Sequence, residues 1–174
     1  MRRRDFLFVV MAAALSCAAP AYAADPVTKE YPVPKGSHPH DIAPARDGGV
    51  WYTAQASGEL GWLDPKTGKT KHIPLGKNSA PHGVIVGPDG SVYYASLAGS
   101  HIARIDTKTG AATVIKPPTK RQGARRVWAD SKSRVWVSYW NTGHVGMYDP
   151  KTNTWREWKL PGDDPQAYAV YVDD

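Results

Sequence analysis

Four side chains that can move protons or bind anions recur at one position of an internal repeat in this 174-residue chain. They are His40, His82, Arg125 and Tyr168, and the steps between them are 42, 43 and 43 residues. An imidazole can accept a proton, a phenol can donate or orient one, and a guanidinium binds carboxylates. The alternative is that each side chain only packs on the next repeat or bonds a loop carbonyl, and the sequence leaves both interpretations open.

The repeat that carries these residues is present in three whole copies. Residues 39–75 align with residues 81–117, and a third copy begins at Ala124. In the second copy, turn sequences separate four short strands, which are predicted at residues 84–86, 92–95, 102–105 and 113–115. One repeat position is always aromatic, as Trp51, Tyr93 and Trp136. Four antiparallel strands recurring at this interval predict the blades of an all-β propeller, without helices.

Two partial copies flank the three whole ones. Residues 30–34 align with residues 157–161, so they are expected to form an isolated fourth strand that completes the last blade and closes the ring. Residues 168–173 align with residues 125–130 and are expected to begin a further blade. The sequence is therefore expected to be an N-terminal fragment of a longer propeller, and a four-bladed ring is the alternative.

The blade pattern predicts where the candidate residues converge. The loop that enters the first strand of a blade and the loop that joins its second and third strands lie on the same face. Both sets of loops should therefore surround one mouth of the central channel. The candidate catalytic residues at this mouth are His40, His82 and Tyr168. The candidate substrate-binding residues are Arg125, Tyr139 and Trp140.

None of the remaining histidines and carboxylates is a candidate site residue. His101 and His144 begin the third strand of their blades, farther from the channel, and are predicted to be polar hairpin residues. His38 and His72 follow no repeat pattern and are assigned no role. The carboxylates cluster in turns, as at Asp64 and its equivalents, so no metal ligands are predicted from the sequence pattern.

The first 23 residues have the composition of a secretory signal peptide. Three arginines precede an apolar run, and small residues lead to a predicted cleavage after Ala23. Arg3 and Arg4 resemble a twin-arginine export motif, and the general secretory route is the alternative. Residues 24–174 are therefore expected to form one propeller domain that is periplasmic or secreted, with no membrane attachment after cleavage.

Cysteine content and charge exclude several kinds of chemistry for the mature chain. Cys17 is the only cysteine, and it lies in the segment predicted to be removed. Disulfides, thiol nucleophiles and cysteine metal ligands are thereby excluded. The removed segment carries three arginines and one aspartate, so the formal charge falls from +6 to +4. A surplus this small gives no reason to expect nucleic acid as a partner.

The blade sequence resembles the repeat of the virginiamycin B lyase, or streptogramin lyase, family. The resemblance rests on Pro-His-Gly-Val from Pro81, Pro-Asp-Gly from Pro88, Val-Tyr-Tyr-Ala from Val92 and His-Ile-Ala-Arg-Ile-Asp from His101, and it extends from Tyr31 to Asp173. It implies a seven-bladed propeller, monomeric when complete, that confers antibiotic resistance. The implied reaction opens a cyclic depsipeptide by eliminating across an ester C–O bond, helped by Mg²⁺. A base removes the proton alpha to the carbonyl, and a cation stabilises the enolate.

The family's acting groups can be carried over position by position. Its early tyrosine falls on His40 here, Tyr168 restores a tyrosine in another blade, and no magnesium-binding glutamate is found in this chain. The resemblance implies a lyase with His40 or His82 as base, Tyr168 as acid or orienting group and Arg125 on an anionic group. The alternative function is a non-catalytic periplasmic propeller that binds a small molecule, a cyclic peptide or a partner protein at the same mouth.

Overall fold

The computed structural model describes residues 27–173, and their strands form three four-stranded antiparallel sheets. The signal peptide predicted over residues 1–23 lies outside the described residues. From Tyr31 onward the described chain forms one compact unit, and residues 27–30 adopt no regular secondary structure. Residues 27–173 contain no helix, as the sequence predicts, and therefore none that could cross a membrane.

Each sheet is a meander of four strands consecutive in sequence, which confirms the three predicted blades. Blade 1 consists of β1 (Pro39–Pro44), β2 (Val50–Ala54), β3 (Glu59–Leu63) and β4 (Thr70–Pro74). Blade 2 consists of β5 (Pro81–Val86), β6 (Val92–Ser96), β7 (His101–Ile105) and β8 (Ala112–Ile115). Blade 3 consists of β9 (Ala124–Ala129), β10 (Val135–Tyr139), β11 (His144–Asp149) and β12 (Thr154–Lys159).

Two apolar cores fill the spaces between the three blades. The core between blades 1 and 2 includes Trp51, Leu60, Val84 and Tyr94. The core between blades 2 and 3 includes Tyr93, Ile102, Val127 and Val137. Side chains of a strand alternate between its two faces, so each blade packs one face on the blade before it and the other on the blade after it. Since burying one such side chain contributes about 1.5–3 kcal/mol, these cores hold the blades together.

The inner strands β1, β5 and β9 pack side by side, and each is bulged at the same repeat position. The pairing register shifts between Pro39 and Ile42 in β1 and between Pro81 and Val84 in β5, and the same irregularity separates β9 from β10 near Ala124. A bulge leaves one residue out of the ladder and changes the direction of its side chain. In each blade the irregular pairing includes the candidate entry residue.

The two partial copies do not form the strands that the sequence predicts. Residues 31–34 pair with no strand of the described chain; instead, the Tyr31 hydroxyl donates to the carbonyl of Pro65 at 2.8 Å. Pro32 and Pro34 have no N–H group to donate to a neighbouring strand, which explains why residues 31–34 form no strand. Residues 168–173 also form no strand, but they lie against blade 3, where the rings of Trp128 and Tyr171 are 4.5 Å apart.

Candidate functional site

Three of the four entry residues lie within the inner strands, whereas the sequence predicts them in the loops before those strands. His40 is the second residue of β1, His82 is the second residue of β5, and Arg125 is the second residue of β9. They gather with four other side chains into one group, which we call the entry cluster. Its members are His40, Asp41, His82, Arg125, Arg126, Trp140 and Tyr168. Bulges in neighbouring inner strands thus direct residues from all three blades toward one place.

Two histidines of the entry cluster pack closely against each other across blades 1 and 2. The ring centroids of His40 and His82 are 3.7 Å apart, with the planes inclined by 50°. His82 is 2% exposed, and its buried Nδ1 makes no hydrogen bond within the described residues, whereas His40 is exposed. Burial, followed by the nearby charges of His40, Arg125 and Arg126, lowers the pKa of His82 to about 3. His82 is therefore a neutral imidazole at neutral pH, beneath a solvent-facing one.

An ion pair joins blade 1 to blade 3 across blade 2. Arg126 Nη1 lies 2.5 Å from Asp41 Oδ1, and the other carboxylate oxygen of Asp41 accepts a hydrogen bond from Val84 N at 3.2 Å. The sequence does not predict this pair, because the two residues are 85 positions apart. One signal was available, since Asp41, Gly83 and Arg126 share one repeat position and only the middle blade has no side chain there.

Two buried hydroxyl groups make hydrogen bonds to the backbone at the entry residues. Thr53 Oγ1 accepts a hydrogen bond from Asp41 N at 3.0 Å and donates to the carbonyl of His82 at 2.9 Å. Ser138, at the same repeat position of blade 3, accepts from Arg126 N at 3.1 Å and donates to the carbonyl of Tyr168 at 3.0 Å. Each hydroxyl therefore ties the bulged residue of its own blade to the entry residue that follows one repeat later.

Arg125 lies between two aromatic rings. Its guanidinium carbon is 4.3 Å from the centre of the Trp140 ring and 3.9 Å from that of Tyr168. The two rings meet edge to face at 5.8 Å, and Tyr168 is 53% exposed. Arg125 Nε is buried without a hydrogen bond, and none of the described ion pairs involves this residue. The structure thus brings together Arg125, Trp140 and Tyr168, three of the residues singled out in the sequence.

Tyr139, another candidate for substrate binding, is not in the entry cluster. Its side chain is 0% exposed and packs in the core between blades 2 and 3, with the hydroxyl over the backbone of Gly146. Burial, followed by the neighbouring carboxylate of Glu157, raises the pKa of Tyr139. Tyr139 is the last residue of β10 rather than a loop residue, and the alternation of this strand turns its side chain away from solvent.

Of the other histidines, His101 and His144 make hairpin contacts as expected, whereas His72 makes contacts that the sequence does not predict. The Nδ1 atoms of His101 and His144 bond hairpin carbonyls of their own blades, at 3.1 and 2.7 Å, consistent with polar hairpin residues. His72, which the sequence left without a role, bridges two side chains in blade 1. Its Nδ1 is 3.0 Å from Glu59 Oε2, and its Nε2 is 2.8 Å from the Tyr52 hydroxyl.

The described residues do not fit a magnesium site. Within residues 27–173 no three histidine, cysteine, aspartate or glutamate side chains are grouped as metal ligands. Asp41 is the only carboxylate of the entry cluster, and both its oxygens are engaged by Arg126 and Val84. Magnesium prefers octahedral oxygen ligands, which this cluster of nitrogen donors does not offer. No step proposed below uses the metal that the family resemblance implies.

Comparison with known proteins identifies relatives by sequence and by fold. Residues 21–174 match the family described as the virginiamycin B lyase family. Virginiamycin B lyase from Staphylococcus aureus is similar in structure, with a TM-score of 0.76 and 24% identity, over 83% of this chain and 49% of that one. A streptogramin B lyase structure matches with a TM-score of 0.76 and 30% identity, over 84% of this chain and 49% of that one.

A third solved structure contains a ligand. It is a catalytically inactive virginiamycin B lyase from Staphylococcus aureus with quinupristin, 25% identical at a TM-score of 0.72, and the match covers 79% of this chain and 46% of that one. No curated protein matches the chain by sequence. The chain spans about half the length of the solved structures that it matches.

Proposed function

The chain belongs to the virginiamycin B lyase family, and on this premise we propose that its entry cluster opens a cyclic depsipeptide, or a related ester, by elimination. The observation that supports this most strongly is the closely packed pair of His40 and His82 beside Arg125. It supplies a solvent-facing base and a cation within one group of side chains. Elimination requires both, because a proton leaves carbon while negative charge develops on oxygen.

Of the two histidines, we assign the base to His40 and a supporting role to His82. His40 is exposed and can touch a substrate, whereas His82 is almost fully buried. The low pKa keeps His82 neutral, so its ring does not repel His40 when His40 takes up a proton. His40 removes the proton alpha to the carbonyl, a carbon–carbon double bond forms, and the C–O bond of the ester breaks.

Tyr168 and Trp140 would bound the space that the substrate enters. Tyr168 is half exposed and its backbone is held by Ser138, so its phenol can orient the ester by a hydrogen bond. Trp140 offers an aromatic surface to an apolar part of a cyclic peptide. We also propose that the protein acts in the periplasm or outside the cell, as expected from its first 23 residues, where it would meet such compounds before they enter.

The test is a turnover assay of the purified chain with quinupristin, the ligand found with the family relative. Liquid chromatography and mass spectrometry distinguish the products, because elimination leaves the mass unchanged whereas hydrolysis adds one water. The expected result is an unsaturated linear product, and loss of at least about a hundredfold in rate for His40→Gln, since a positioned base contributes about 10²–10⁴-fold.

The matched control is His38→Gln, which changes an exposed histidine two residues before His40 and should leave the rate unchanged. His82→Gln should slow the reaction less than His40→Gln, because His82 acts only through its neighbour. Turnover that survives His40→Gln at the wild-type rate would remove His40 from the mechanism. A product heavier by one water would show hydrolysis instead of elimination.

A further inference from the structure

The guanidinium of Arg125 contacts two aromatic rings and has no anionic partner among residues 27–173. The centres of the Trp140 and Tyr168 rings lie 4.3 and 3.9 Å from the guanidinium carbon, and the two rings approach it from roughly perpendicular directions. Such contacts orient the group and partly desolvate it, which strengthens its attraction for an anion. The forked N–H groups of a guanidinium match the two oxygens of a carboxylate, and no protein carboxylate pairs with those of Arg125 among the described residues.

The carboxylate of Asp41, the only one in the entry cluster, already has two hydrogen-bond partners. Asp41 pairs with Arg126 at 2.5 Å and accepts a second hydrogen bond from Val84 N. Arg125 takes part in none of the ion pairs among residues 27–173, and its Nε is buried without a hydrogen bond. The terminal N–H groups of the same guanidinium are not among the buried atoms, so they can give a ligand anion charge-assisted hydrogen bonds. In the entry cluster, Asp41 therefore neutralises the charge of Arg126, whereas Arg125 can bind an anion.

We propose that Arg125, between Trp140 and Tyr168, forms a carboxylate-binding slot that receives the leaving group of the eliminated ester. The inference rests on the proposed function and assigns the residue that binds the departing acid. When the base takes the alpha proton, the C–H electron pair forms the carbon–carbon double bond. The C–O bond breaks, and its electron pair goes to the ester oxygen, which departs as a carboxylate. Arg125 stabilises the charge that develops on this oxygen.

The slot can be tested by binding alone, without turnover. N-acetylphenylalanine, a carboxylate, and its uncharged amide are titrated into the chain by calorimetry. The acid should bind at least about ten times more tightly than the amide, and Arg125→Gln should abolish the difference. Arg125→Lys keeps the charge but not the planar fork, so its preference should be intermediate. Lys120→Gln removes an exposed positive charge from the preceding loop and should change nothing.

A second variant tests the slot without removing the charge of Arg125. Trp140→Leu keeps Arg125 but removes one aromatic wall, so the acid should bind more weakly while the amide is unaffected. Equal binding of acid and amide to the wild-type chain, or an unchanged preference in Arg125→Gln, overturns the slot. If the acid binds as expected but no ester is opened, the slot stands and the proposed lyase function fails.

In the enzyme reaction the same residue has a distinct kinetic signature. Arg125→Gln should slow esters of weak carboxylic acids more than esters of strong ones, because a poorer leaving group depends more on the cation. A variant that slows all esters equally would show that Arg125 has no part in C–O cleavage.

Discussion

Replacing Thr53 by valine keeps the shape of the side chain and removes the hydroxyl that joins blade 1 to His82. Thr53 is 0% exposed, and its Oγ1 bonds Asp41 N at 3.0 Å and the carbonyl of His82 at 2.9 Å. Valine can bond neither group. The variant therefore leaves an N–H and a C=O without partners at the point where two inner strands meet.

The size of the effect follows from these two bonds. An unsatisfied buried polar group costs about 1–3 kcal/mol, and water can reach Asp41 more easily than His82. We therefore expect the free energy of unfolding to fall by about 2–4 kcal/mol. For a chain of this length, that corresponds to a melting temperature lower by roughly 5–10 °C. Urea denaturation followed by tryptophan fluorescence measures the first quantity, and calorimetry measures the second.

Two further variants test the reasoning. Thr53→Ser keeps the hydroxyl and should lose no more than about 1 kcal/mol, the value of one buried methyl group. Ser138→Ala removes the equivalent bridge in blade 3, and its effect should be smaller because Tyr168 is half exposed and water can replace the hydroxyl. Equal stability of Thr53→Val and Thr53→Ser would refute the claim that the hydroxyl holds the two strands together.

Three other predictions follow from the entry cluster. Between a folded pKa of about 3 and an unfolded value of about 6.5, only the unfolded chain protonates His82, so stability rises with pH across this window. From about pH 7.5 to 5.5 the wild-type chain should lose about 1.4 kcal/mol more than His82→Gln in urea denaturation, and parallel pH dependence would contradict the shift. Asp41→Asn leaves Arg126 without its anion; a double-mutant cycle with Arg126→Met should give a coupling of about 1 kcal/mol, and additive losses would disprove the pair. A Cβ at Gly83 would lie within 2.9 Å of the β9 backbone, so Gly83→Ala should cost about 1–3 kcal/mol. In contrast, Gly87→Ala meets first the movable carboxylate of its own turn and should cost less, as thermal unfolding of both variants will show.

Most of the fold is encoded locally and could be predicted from the repeat. The predicted strand at residues 92–95 is β6 (Val92–Ser96), and that at residues 102–105 is β7 (His101–Ile105). Turn residues fix these boundaries, because Asp106 bonds the N–H groups of the next turn and Gly110 has a φ of 76°. The partial copies form no strand: two prolines remove N–H donors from residues 31–34, and residues 168–173 pair with no strand of the described residues.

The entry cluster was predicted only in part, because repeat spacing fixes a position in the blade but not the direction of a side chain. His40, His82 and Arg125 come together as expected, since equivalent residues of adjacent inner strands are neighbours. Tyr139 turns into the core instead. The bulges, the hydroxyl of Thr53 and the pair of Asp41 with Arg126 depend on contacts between blades, and no local pattern in the sequence records them.

The contacts at Gly83 explain why the cluster forms around the middle blade. Blades 1 and 3 have a bridging hydroxyl behind the inner strand, whereas blade 2 has Ala95 at that position. Because Gly83 has no side chain, β9 approaches β5 so closely that a Cβ would collide with it. This close approach brings Arg126 within reach of Asp41, 85 positions earlier in the chain. With Arg126 neutralised in this way, Arg125 is the cation left for a ligand, so widening the gap at Gly83 should also weaken the preference of the slot for carboxylates.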